Sequence, residues 1–270
     1  MQDVPLGPEH GASFFTKEIE EALLADRVDL AVHSCKDLAT RNPEELAIAA
    51  FPERVDPRDV LVTAGAMLDA LPEGARVGTS SPRRRGFIEA VRPDVMLVQL
   101  RGNVPTRLRA VEEGRMDGVV LAAAGLLRLG LEERIVERLD PGIMLPAAAQ
   151  GSLALQVRRA DEPVSALVAA LDDRSTRVEV EAERACLRRL EAGCQAPVGA
   201  LARVEGGGAV LECAVVTPEG IVRARGSGES GDPESLGVRV AEEILHRVGV
   251  TSLDGLVWAG PGPRRSGAEG

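Results

Sequence analysis

The chain has 270 residues, 44% hydrophobic and 27% charged, with a formal net charge of −10. At roughly 150 residues per domain, two or three domains with sizeable cores are expected. No run approaches the roughly 18 apolar residues of a membrane span, and MQDVPLGPEHG has neither the basic nor the apolar region of a signal peptide. A cytoplasmic protein without membrane contact is therefore expected. The negative charge and five aromatics (Phe14, Phe15, Phe51, Phe87, Trp258) disfavour nucleic acid. Cys35, Cys186, Cys194 and Cys213 form no CxxC pair and no Cys/His cluster, so no metal site is expected and the thiols should be reduced.

Taken in chain order, residues 1–13 read as a Gly/Pro-rich loop and Phe14 to Ala25 as an amphipathic helix, with Phe15, Ile19 and Leu23 at helical spacing. VDLAVHS reads as a buried parallel strand, which puts Lys36 and Asp37 at a strand's carboxyl end, where open α/β sheets bind ligands. Leu46 to Phe51 is another strand, and PERVDPRD a crossing into a second lobe. Strands are expected near 60–63, 75–79, 95–100 and 118–123, with helices near 82–91, 103–113 and 126–139. PGIMLPAAAQGS crosses back to a strand at 153–157 and a helix near 163–171. Two crossings imply a hinged pair of α/β lobes with a cleft between them. From Ser175 a helix runs to Leu190, with a cap signal at Ser175-Thr176 and a stop at Gly193. Three period-two strands and a helix at about 233–248 complete a small C-terminal α+β domain. The expected borders are 1–54 with 151–172, 55–150 and 173–260, followed by a disordered tail at 261–270.

The stretch from Arg76 to Arg109 carries eight arginines against Glu89 and Asp94, inside a strongly acidic chain. ARVGT-Ser-Ser-Pro and VMLVQLRGN each read as strand, turn, helix, with Ser80 or Ser81 capping and Pro82 at the first helical position. Guanidinium groups, free backbone N–H groups and positive helix ends should then converge on a small, multiply charged anion. Two helices with solvated arginine faces are the plainer alternative.

HSCKDLAT, DPRDVLV, VGTSSPRRR, LRGNVPTRL, AAAGLLRLG, LPAAAQGSLALQ and LEAGCQAPVGA, in this order, resemble the porphobilinogen deaminase (hydroxymethylbilane synthase) family over nearly the whole chain. The resemblance implies two hinged lobes like those of periplasmic binding proteins and a third α+β domain. It implies a transferase of porphyrin and haem biosynthesis, a monomer, that joins four porphobilinogen molecules head to tail and releases ammonia and 1-hydroxymethylbilane. The product would pass to uroporphyrinogen-III synthase. The chain would grow on a covalent dipyrromethane cofactor, with Cys194 as the thioether cysteine. A thiolate suits attack on an electrophilic methylene, and a loop beyond a helix end keeps it accessible. Asp37 matches the catalytic aspartate, which would keep the leaving amine protonated and stabilise the azafulvene cation. Lys36, Arg83, Arg84, Arg101, Arg107 and Arg128 match carboxylate-binding residues, with Arg101, Arg107 and Arg128 on the substrate side. Ser34, Thr79, Ser81 and Gln150 match positions beside cofactor and substrate. Arg85, Arg92 and Arg109 have no match and are expected at the surface; Cys186, Cys213 and His33 are expected to be structural.

The family normally begins with a strand-helix-strand unit that this sequence lacks, and Pro8 and Ala12 stand where lysines are common. A misplaced start, a fragment or a truncated form would each account for this. Loss of buried strands should expose apolar surface on VDLAVHS and LAIAAF, and weaken stability and cofactor retention. A two-lobed small-anion binding protein or an inactive truncated relative is the alternative.

Overall fold

The computed structural model describes residues 12–192 and 196–254. Helix α1 (Ala12–Leu24) leads into β1 (Ala31–Ser34), which ends in a single 3-10 turn, Cys35–Asp37, before β2 (Leu46–Ala50). The chain then enters a second unit: β3 (Asp59–Thr63), β4 (Arg76–Gly78), α2 (Pro82–Val91), β5 (Met96–Val98), α3 (Val104–Glu112), β6 (Gly118–Ala122), α4 (Ala123–Arg128) and β7 (Glu137–Arg138). These strands form one sheet in the order β5-β4-β6-β3-β7, parallel across β5-β4-β6 and antiparallel at β3. The chain returns with β8 (Leu153–Arg158), which inserts between β1 and β2, and α5 (Glu162–Ala169) follows. Then come α6 (Arg174–Leu190), β9 (Val198–Glu205), β10 (Gly208–Thr217), β11 (Gly220–Glu229) and α7 (Pro233–Val248), the three strands forming an antiparallel meander. The architecture is two α/β lobes, the first completed by a strand from far along the chain, and a third α+β domain.

Period-two alternation explains how the meander joins the rest. Ala200, Ala202, Leu211, Cys213 and Val215 pack beneath Val178, Ala182 and Cys186 of α6 and Leu236, Val240 and Ile244 of α7. Their neighbours Leu201, Ala214 and Val216 point the other way, onto Phe87 and Ile88 of α2 and Leu145. Gly86 permits that contact, because a Cβ there would stand 2.7 Å from a Val216 methyl.

Several expectations are corrected. Among the described residues β1 is an edge strand, antiparallel to β8, rather than a buried parallel one. Ala31 and His33 face inward while Val32 is 54% exposed, because alternate side chains of a strand point to opposite faces; an apolar run of strand length does not report its pairing. VDLAVHS thus presents apolar surface at Val28, Leu30 and Val32, whereas in LAIAAF Leu46, Ala50 and Phe51 are buried. The helix expected over 126–139 begins at Ala123 and stops at Arg128, where Gly130 turns the chain at φ +68°. Beyond it, Glu137–Arg138 pairs with β3. The α6 cap is Asp173, whose carboxylate accepts from Thr176 N at 2.7 Å, upstream of the Ser175-Thr176 signal. At its end Glu191 adopts the left-handed conformation. Gly193 lies outside the described residues, as does the tail expected at 261–270.

α6 and α7 approach most closely at Gly237, where a Cβ would lie 2.4 Å from Ala182 O and 2.6 Å from Ala185 Cβ. Gly237→Ala must push the helices apart. A net loss of about 1–3 kcal/mol is expected, as for overpacked cores, read as a lower urea midpoint with unchanged slope.

Candidate active site

The two strand-turn-helix units lie side by side because β4 and β5 are parallel neighbours. Ser81 caps α2 by accepting from Arg84 N, with Pro82 in the first turn. Asn103 caps α3 by accepting from Thr106 N at 2.9 Å. Both helix starts therefore face the same end of the sheet.

The arginines behind the first cap are less free than the sequence suggests. Arg83 Nη1 donates to Asp59 Oδ2 and to Leu145 O, each at 2.7 Å. Arg84 Nε donates to Asp59 Oδ1 at 2.9 Å, and its Nη1 to Val120 O at 2.9 Å. Asp59, the first residue of β3, is 0% exposed. Burial alone would push its carboxyl up, but the charges of Arg83 and Arg84 outweigh that and hold it well below the usual carboxylate range. Burial in turn lowers the proton affinity of Arg84.

Gln150 relays this arrangement forward. Its Nε2 donates to Pro57 O at 2.8 Å and to Asp59 Oδ1 at 3.2 Å, which leaves Oε1 to accept from Lys36 Nζ at 3.3 Å. Lys36 is exposed to solvent on the cavity side, with Gln150 and Arg84 on the same wall. Its pKa is lowered to about 8, first by desolvation and then by the charge of Arg84. Arg107 Nε donates to Gly102 O and Arg128 Nη2 to Gly151 O, both at 2.8 Å. Burial lowers the proton affinity of both guanidinium groups, and neither has a carboxylate partner among the described residues.

These groups surround a cavity of ≈ 230 Å³ between the ends of the first two sheets. Lys36, Arg84, Arg107 and Arg128 line it with Ser34 and Gln150, and the described lining contains no carboxylate. The Oγ of Ser152, another lining residue, is buried without a hydrogen-bond partner among the described residues. An enclosed polar atom of that kind calls for a ligand or water.

Of the expected site residues, the structure brings Ser34, Lys36, Arg84, Arg107, Arg128 and Gln150 to this wall. Arg83 lies behind it, bound to Asp59, and fully buried Thr79 accepts from Ser81 N at 3.3 Å. Arg101 is exposed in the turn before Gly102, and Asp37 is exposed beside Lys36. Cys194 lies outside the described residues. The other thiols, Cys35, Cys186 and Cys213, are buried and unpaired; burial pushes Cys35 up to about 11. His33 Nε2 meets Gln156 Oε1 at 2.9 Å inside the first sheet. Arg85 and Arg92, expected at the surface, instead bond the carbonyls of Leu97 and Leu71 at 3.2 and 2.7 Å; Arg109 is exposed. No group of three or more His, Cys, Asp or Glu that could hold a metal is present among the described residues. No helix of the described residues is long and apolar enough to cross a membrane.

Asp59 and Ser152 were missed from sequence. For Asp59 a signal existed: an acid opening the apolar run VLV, with arginines in the next strand-turn-helix unit, has to be paired if buried. Ser152 offered none, because an orphaned hydroxyl depends on what packs around it.

Four cations facing one hollow between two α/β lobes define a protein built to gather polyanionic molecules. Residues 1–166 match the family model described as "Porphobilinogen deaminase, dipyromethane cofactor binding domain", and residues 177–246 match "Porphobilinogen deaminase, C-terminal domain". The chain is 49% identical over 255 residues to the porphobilinogen deaminase of Roseiflexus sp. (strain RS-1), covering 94% of this chain and 84% of that protein. It is 52% identical over 241 residues to that of Thermus thermophilus, covering 88% and 80%. The chain belongs to the porphobilinogen deaminase family. Among solved structures, a putative methionine-binding lipoprotein from Bacillus subtilis is similar at 13% identity and TM-score 0.39, covering 58% of this chain and 75% of that one. A likeness that distant carries no further weight.

Two outcomes follow from the geometry. Asp59→Asn leaves two buried guanidinium groups without a counter-charge, and a loss of about 3–5 kcal/mol is expected in urea unfolding at neutral pH. Lys36 is charged below about 8 and loses its proton above it, where an ordinary lysine would stay charged. Binding of carboxylate ligands should therefore weaken as pH rises through that value. Lys36→Arg should flatten that limb in a pH series of KM.

Proposed function

We propose that this chain is a transferase that joins four porphobilinogen molecules head to tail, releasing ammonia and 1-hydroxymethylbilane. The observation that carries the reading is the acid-free wall of Lys36, Arg84, Arg107 and Arg128, beside the turn that bears Asp37. Each pyrrole brings two carboxylates, and guanidinium forks pair with them bidentately without losing charge.

The residues present fit the family's dipyrromethane group, since four cations and the orphaned Ser152 Oγ suit a molecule rich in carboxylates. When bound, the group supplies a tethered end to which pyrroles are added. Cys194 would hold it covalently, and Lys36, Ser34, Arg84 and Gln150 would take its polar groups. Arg83, Thr79 and Ser81 would act from behind, by fixing Asp59 and the α2 cap. Arg107 and Arg128 would receive the carboxylates of the incoming substrate, with Arg101 at the rim. Asp37 would keep the substrate's amine protonated until it leaves as ammonia, and then stabilise the cation that remains. The proposed domain borders are 1–54 with 151–172, 55–150 and 173–260. They are supported by the insertion of β8 between β1 and β2. A hinged, cytoplasmic monomer that hands its product to uroporphyrinogen-III synthase completes the proposal.

The test combines mass spectrometry with turnover. The peptide containing Cys194 should carry an adduct of dipyrromethane size, and Asp37→Ala should keep it while losing nearly all turnover. An unmodified thiol in every preparation would favour anion binding without chemistry, and an active Asp37→Ala would remove Asp37 from the mechanism.

A further inference from the structure

A second cavity, of ≈ 470 Å³, lies further along the segment that carries Lys36 and Asp37, where Thr40 and Asn42 meet α6, β2 and the start of α7. It shares no lining residue with the first. From α6 come Arg177, Glu181, Arg184 and Arg188, whose spacing places them on one helix face; Arg159 faces them from beyond β8. The apolar part is Ala47, Ile48 and Phe51, with Arg177 stacked 5.0 Å over the Phe51 ring.

The charges here do not balance. Arg177 pairs with Asp172 and Glu181, and Arg188 with Glu234. Arg184 is 7% exposed and has no carboxylate within ion-pair distance among the described residues. It donates to Leu38 O at 3.3 Å and Ala39 O at 2.6 Å. Arg159 likewise meets only carbonyls among the described residues, Glu44 O at 2.7 Å and Leu46 O at 3.1 Å. A second, independent sign is Oδ1 of Asn42, a residue lining the same hollow, which has no hydrogen-bond donor in reach among the described residues. A buried cation lacking a counter-charge is destabilising, and burial lowers the proton affinity of Arg184 accordingly. Both defects are cured by one kind of molecule: an anion that also carries an O–H.

We propose that this cavity is a second binding site, for a small anion bearing two or more phosphate or carboxylate groups, received by Arg184 and Arg159 with a protonated oxygen donating to Asn42. The site does not depend on the catalytic reading. Its occupant would, however, compete for Arg184 with the Leu38 and Ala39 carbonyls, and so bears on the turn that carries Asp37.

Calorimetric titration of the full chain with inorganic pyrophosphate and with citrate, at constant ionic strength, tests this. Arg107→Gln/Arg128→Gln disables the first cavity and should leave saturable binding of at least one probe. The stronger probe tells phosphate from carboxylate. Adding Arg159→Gln/Arg188→Gln, both at the rim, should weaken that binding at least tenfold while the circular dichroism spectrum stays native. No saturable binding of either probe, loss of all binding in Arg107→Gln/Arg128→Gln, or less than a tenfold effect of the rim substitutions would overturn the proposal.

Discussion

The site depends on one carboxylate that never meets water. Asp59 sits at the start of β3 and takes Arg83 on one oxygen, and Arg84 and Gln150 on the other. Burying an ion is costly unless its partners are close and its remaining lone pairs are used; here both conditions hold. The consequence reaches the cavity. Because Asp59 fixes Gln150 Nε2, the amide oxygen is left for Lys36, and because it draws Arg83 inward, the wall receives one guanidinium from α2 instead of two. The carboxylate therefore sets how much positive charge faces the ligand, and where.

A second enclosed acid does for the domains what Asp59 does for the wall. Glu183, 0% exposed on α6, accepts from Arg54 at 2.7 and 3.1 Å. It also accepts from the backbone N–H groups of Ala149 and Ala202, at 2.5 and 2.7 Å. Arg54 lies on the outgoing crossing between lobes, Ala149 on the returning one and Ala202 on β9. One side chain thus joins both crossings to the third domain. Arg54 Nε further donates to Gln150 O at 3.0 Å, so the residue that orients Lys36 is clamped from two directions. Burial pushes the Glu183 carboxyl up while Arg54, beside it, is held protonated; the four donors aimed at Glu183 favour the charged pair.

What could be read from the sequence were features with local causes. The cap at Ser81, Pro82, the α7 boundaries and the alternation of β9 to β11 all follow from neighbours within a few residues, and all were legible. Lys36, Arg107 and Arg128 were legible too, through motifs and not through charge alone, since Arg83 and Arg92 carry the same charge and turn inward. What escaped depends on distant partners. Among the described residues β1 becomes an edge because β8, over a hundred residues away, covers one side of it. Asp59 is buried because two arginines from α2 arrive beside it, and Ser152 is orphaned by packing that no local pattern encodes.

The contrast between an acidic chain and a cationic hollow has a physical use. With a formal net charge of −10, the protein at large repels polyanions, while low-dielectric walls concentrate the field of a few cations in one place. Lys36 adds a graded element. Desolvation by the surrounding wall and the charge of Arg84 hold its proton loosely, and an arriving carboxylate favours the charged form. Binding and protonation at Lys36 are thus linked, each strengthening the other. Above about pH 8 an empty hollow carries less of the repulsion that four crowded cations impose on one another, and full charge develops there when an acidic ligand is present to offset it.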